Sequence, residues 1–150
     1  MAATRTATLT WTGTLAEGGG TVSAGSSGTF ADLPIEWGSR IEAPAGRTSP
    51  EELLAAAHAS CFAMALSGAL GRAGTPPDHV HVSATVTFDK VGDAWTVTRS
   101  ELDVVGTVPG ISSADFDAIA EKTKDDCPIS RALAGNVELA VSATLEEEHD

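Results

Sequence analysis

The chain has 150 residues, 42% of them apolar and 20% charged, a length that suits one domain burying roughly 70% of its unfolded surface without a disulfide or metal staple. Nine Lys and Arg against 21 Asp and Glu leave a formal net charge of −12, which argues against nucleic acid or an anionic membrane surface as partner. Two cysteines exclude a disulfide-rich scaffold.

The first eleven residues alternate polar and apolar and hold no apolar run with a cleavage site, so a secretory signal is not expected and a reducing cytoplasm is. Residues 3–12 read as a strand, Gly18-Gly19-Gly20 as a turn, and 21–24 and 28–37 as further strands broken at Gly25-Ser26-Ser27-Gly28. Gly38, Pro44 and Gly46 make 38–48 a loop. Ser49-Pro50-Glu51-Glu52 then opens a helix, with Ser at the N-cap, Pro at the first helical position and Glu at the third. It should run to about Leu70, ended by Gly71, Gly74 and Pro76-Pro77.

From Leu53 to Gly71 only His58 could carry charge, a length that would suit a membrane span. The run is mostly Ala, Gly, Ser and His and has no basic anchor at its start, so a helix buried in a soluble domain is the expectation. Residues 80–89 alternate as a half-buried strand, Val91-Gly92-Asp93 turn it, and 94–107 pair with it as a hairpin. After Pro109-Gly110, Ser113 caps a helix over about 114–124, Pro128 starts a short helix ending near Gly135, and 136–145 form the last strand. Glu146 to Asp150 read as a solvated acidic tail. Strands, long helix, hairpin, helices and strand, without regular βαβ alternation, predict an α+β fold with a largely antiparallel sheet in a single domain over 1–150.

Cys61 and Cys127 lie 66 positions apart, so neither CxxC nor zinc-ribbon spacing exists. Two unrelated buried thiols are the plain reading. Cys61 falls in mid-helix on an apolar surface, where burial raises a thiol pKa; Cys127 precedes Pro128 and so starts a helix, where a thiolate is stabilised. Local logic alone makes Cys127 the more reactive thiol. His58, three residues before Cys61, shares its helix face; a packed histidine is favoured over a Cys–His nucleophile pair. A zinc site of His58, Cys61 and Cys127 would need His79 or His81 as a fourth ligand. No GxSxG, HExxH, GxxxxGK[ST] or GxGxxG motif is present.

The segment Ser49 to Leu66, SPEELLAAAHASCFAMAL, resembles the first-cysteine helix of the OsmC/Ohr family of thiol peroxidases, and Cys127 to Leu133, CPISRAL, resembles its second-cysteine motif. Thr107 to Ile111, Asp89 to Gly92 and Gly20 to Val22 are similar to stretches of the OsmC-like branch. The resemblance spans nearly the whole chain. It implies an α+β fold in which a strongly bent sheet packs on a long central helix, an intertwined homodimer with active sites at the subunit interface, and reduction of organic hydroperoxides to alcohols. It implies no metal, haem or flavin; a small dithiol or lipoyl protein would be the reductant.

Carried over by position, Cys61 matches the peroxidatic cysteine, Cys127 the resolving cysteine, Glu51 the family's acidic residue and Arg40 its arginine, with Arg47 in the following loop as second candidate. A mid-helix thiol needs a cation, and Arg stays charged at every working pH. Glu51 and Cys61 are ten residues apart on one helix, roughly 15 Å of rise, so a site holding both requires a second subunit. The rival readings are a metal-binding protein using His58 and the cysteines, and a non-catalytic binding protein of the same fold.

Overall fold

Alternating threonines and apolar residues near the N-terminus form β1 (Ala7–Thr12), which pairs antiparallel with β2 (Gly19–Ala24). Gly19 and Gly20 lie inside β2 and not in the turn that the glycine run predicts; residues 15–17 make the reversal. The reason is close approach: a Cβ on Gly20 would sit 2.9 Å from the Thr10 carbonyl oxygen and 3.0 Å from the Trp11 ring. Of the strand expected over 28–37, only β3 (Leu33–Ile35) forms, antiparallel to β2.

The loop expected over 38–48 contains a one-turn helix, α1 (Gly38–Ile41). The buried Ser39 hydroxyl pins it, lying 2.6 Å from the Glu36 carbonyl and 2.7 Å from that of Thr48. Thr48 in turn forms a parallel bridge with Ile35. These local ties are side chain to backbone, which periodicity does not register.

The computed structural model describes residues 1–147, and the chain divides into two compact units, Met1–Leu53 and Leu54 onward. Of the acidic tail, Glu148 to Asp150 lie outside the described residues. The first unit holds the three-stranded sheet β1-β2-β3 and the second a three-stranded sheet β4-β5-β6. Three of the four ladders among the described residues are antiparallel.

The long helix α2 (Pro50–Arg72) begins where the capping signal places it: the Glu52 N–H donates to Ser49 Oγ at 3.1 Å. Its buried residues in the second unit, His58, Phe62, Leu66 and Leu70, recur every four positions and are all 0% exposed. α2 is long and apolar enough to cross a membrane by composition. Phe62, Leu66 and Leu70 instead share a core with Leu102, Val104, Phe116, Ala120 and Cys127.

β4 (His79–Val91) and β5 (Ala94–Thr107) form a long hairpin turned by Gly92-Asp93, with Gly92 at φ +60°. α3 (Ser113–Asp126) is capped by Ser112, one residue before the expected Ser113; Ser112 Oγ accepts the Asp115 N–H at 3.1 Å. α4 (Pro128–Leu133) follows directly, and the two helices form the crossover that returns β6 (Glu138–Leu145) parallel to β5.

Gly106 on β5 is packed under α3: a Cβ there would stand 2.7 Å from the Phe116 ring. Gly106→Ala is expected to lower unfolding stability by about 1–3 kcal/mol, read from the midpoint of urea denaturation.

Candidate active site

Capping and a one-turn helix assemble a charged pair in the first unit. Pro50 and the Ser49 cap fix the first turn of α2 and so aim Glu51, which is 7% exposed. The reciprocal arm of a capping box is displaced, since Glu52 accepts the Thr48 hydroxyl at 2.8 Å. α1 brings Arg40 to Glu51. Arg40 Nη2 donates to Glu51 Oε1 at 2.6 Å, and Nε reaches Oε1 and Oε2 at 3.1 and 3.2 Å. This planar fork on a nearly buried carboxylate is a pairing that a lysine could not reproduce.

The Arg40 guanidinium also lies over the Trp37 ring, 5.6 Å from its centroid. Arg47, the second candidate, pairs with Glu36 at 3.3 Å. The arginine that meets Glu51 is therefore Arg40. Beside it opens a cavity of about 380 Å³ lined by Leu9, Trp11, Leu15, Ile35, Glu36, Trp37, Arg40 and Pro50. Neither Trp11 nor Trp37 was recognisable as a site residue in the sequence, because a lone aromatic on a strand or loop carries no spacing signal.

The two cysteines lie in the second unit. Cys61, on α2, is partly exposed, and Cys127, between α3 and α4, is fully buried; both are free thiols. Cys127 lies near enough to Cys61 to influence its ionisation. Burial pushes the Cys61 thiol up, the backbone N–H of Ile129 pulls it down, and the neighbouring Cys127 thiol pushes it up again. The sequence assigned the helix start to Cys127 alone. In the structure Cys127 is indeed the N-cap of α4, accepting the Ser130 N–H at 3.4 Å, but the same first turn also turns the Ile129 N–H onto Cys61. Beside Cys61 on α2, Phe62 is wholly in the core and Met64 is 70% exposed.

His58 is fully buried and held at both ring nitrogens, Nδ1 to Ser100 Oγ at 2.6 Å and Nε2 to Ser130 Oγ at 2.8 Å. The packed-histidine reading holds, and the ring is engaged with hydroxyls rather than with either sulfur. Among the described residues, no group of three or more His, Cys, Asp or Glu side chains is arranged to hold a metal ion.

The profile of the OsmC-like protein family matches residues 43–142. The chain is 42% identical over 129 residues to peroxiredoxin OsmC of Escherichia coli K12, covering 86% of this chain and 89% of that protein. It is 32% identical over 95 residues to the organic hydroperoxide resistance protein OhrA of Bacillus subtilis, covering 63% of this chain and 65% of that protein. Its fold is similar to the crystal structure of the organic hydroperoxide resistance protein OhrB of Bacillus subtilis, with a TM-score of 0.71 at 25% identity over 94% of this chain and 98% of that one.

Burial holds the pKa of His58 below its ordinary value near 6.5. Below that pH the unfolded chain takes a proton that folded His58 refuses, so stability falls toward acid, by at most about 1.4 kcal/mol per pH unit, until the pH reaches the depressed folded value. Above both values His58 contributes no slope. Urea denaturation of the wild type and of His58→Gln between pH 7 and 5 should show this component in the wild type and lose it in the variant.

Proposed function

The chain belongs to the OsmC-like protein family, and from that membership we propose that it is a thiol-dependent peroxidase reducing organic hydroperoxides to alcohols. The observation that carries the reading is the meeting of two free thiols 66 positions apart in sequence, Cys61 partly exposed and Cys127 buried against it. The names of its relatives, peroxiredoxin and organic hydroperoxide resistance protein, support the same chemistry.

In this reading the Cys61 thiolate attacks the distal oxygen of the hydroperoxide. The O–O bond breaks, the alcohol departs with a proton, and Cys61 becomes a sulfenic acid. Greater exposure favours Cys61 over Cys127 for this encounter. Arg40, oriented by its fork to Glu51, holds the thiolate ionised and meets the charge that builds on the peroxide oxygens. The apolar cavity beside Arg40 suits an alkyl or aryl tail better than hydrogen peroxide.

Cys127 then displaces the sulfenic oxygen as water, forming a Cys61–Cys127 disulfide that a small dithiol or lipoyl protein reduces by exchange. Glu51 and Cys61 are separated by ten residues of continuous helix, roughly 15 Å of rise. In this reading the site is completed in a homodimer, in which one subunit's Arg40 and Glu51 serve the other's Cys61. A reducing cytoplasm keeps both thiols available between turnovers.

Cumene hydroperoxide consumption with excess dihydrolipoamide tests the reading. The wild type should turn over, Cys61→Ser should not, and Cys127→Ser should stop after one equivalent or become sensitive to overoxidation. If the loss follows Cys127 and survives Cys61→Ser, the assignment of the two cysteines is reversed. If the wild type consumes no peroxide with dihydrolipoamide or dithiothreitol, the peroxidase reading fails. Arg40→Ala should lower kcat/KM by about 10²-fold, the scale of one lost electrostatic stabiliser, while Arg47→Ala should leave it within about twofold.

A further inference from the structure

His58 is a buried titratable group that the cycle above does not use. Its ring is the middle of a chain of contacts from three elements: Ser100 on β5, His58 on α2 and Ser130 on α4. That chain ends on a reacting atom, since Ser130 Oγ lies 3.3 Å from Cys127 Sγ. All four residues are 0% exposed, so water does not compete for these bonds.

We propose that His58 is a positioning residue for the second cysteine: it directs the Ser130 hydroxyl proton onto the Cys127 sulfur and so prepares that sulfur to attack. The reasoning is donor counting. Neutral imidazole has one N–H and one bare nitrogen. In the proposed arrangement the Ser100 hydroxyl donates to Nδ1, and the ring proton, on Nε2, donates to Ser130 Oγ across the 2.6 and 2.8 Å contacts. The single proton of Ser130 is then left for the sulfur, which already accepts the Ser130 backbone N–H at 3.4 Å. Two donors converging on one sulfur favour a thiolate over a thiol. Burial supports the neutral ring that this arrangement requires. The titratable groups at this sulfur are the Cys61 thiol from α2 and, through Ser130, His58 itself.

The inference rests on Cys127 acting as the resolving thiol, but its test does not need peroxide turnover. In a Cys61→Ser background, which removes the facing thiol, the Cys127 thiolate is titrated by absorbance at 240 nm. His58→Gln, which places an amide N–H near the position of Nε2, should titrate with the parent. His58→Leu and Ser130→Ala should titrate about one pH unit higher, about tenfold less thiolate at neutral pH. A packing role alone would change the urea midpoint of these variants and leave the titrations superimposed, which would overturn the proposal.

Should His58→Leu fail to fold, Ser130→Ala against His58→Gln makes the same comparison. In the two-cysteine protein, single-turnover mixing with cumene hydroperoxide should show Cys61 oxidation at the wild-type rate in Ser130→Ala and disulfide formation about tenfold slower. Equal rates for both steps would count against the inference. A wild type that consumes no peroxide would instead sink the peroxidase reading and leave the titration result standing.

Discussion

Ionising a thiol costs more on an apolar helix face than in water, and α2 presents Cys61 on such a face. Between Leu53 and Gly71 the helix offers no cation, and burial dominates the rise in the Cys61 pKa. Any nucleophilic role for this sulfur depends on donors brought from outside α2. One is already supplied within the second unit: the Ile129 N–H, from the first turn of α4, reaches Cys61. Pro128 starts this helix, whose first-turn amides have no backbone partner within the helix.

The first unit meets a different constraint. A carboxylate as buried as Glu51 is costly unless it is paired and hydrogen-bonded. The bidentate fork from Arg40 satisfies it, while the Arg40 side chain stays 29% exposed beside an apolar, aromatic-walled cavity. The Ser39 hydroxyl ties α1 to the Thr48 carbonyl and so fixes the backbone from which Arg40 reaches Glu51.

In the second unit the core includes one of the two thiols and abuts a buried histidine. Cys127 belongs to the hydrophobic cluster, caps α4 and faces Cys61. His58 continues the buried stripe of Phe62, Leu66 and Leu70, and its polar atoms are satisfied by hydroxyls from two other elements. A polar group placed on a core stripe is tolerated only with complete partners, and here one of those partners touches the buried sulfur.

Much of this was determined by the sequence alone. The α2 start follows from Ser49, Pro50 and the two glutamates, and the β4–β5 hairpin from strict alternation on either side of Gly92-Asp93; both are local signals whose physics acts within a few residues. The candidate residues Cys61, Cys127, Glu51 and Arg40 were legible only through a family resemblance, because spacing gave no reason to join them. Tertiary structure decided the rest. It pairs Arg40 rather than Arg47 with Glu51, packs Gly20 of β2 closely against β1, and returns β6 parallel to β5. It also brings a helix start to each thiol and serines to both nitrogens of His58. These outcomes depend on contacts between segments tens of residues apart, and periodicity and capping carry no information at that range.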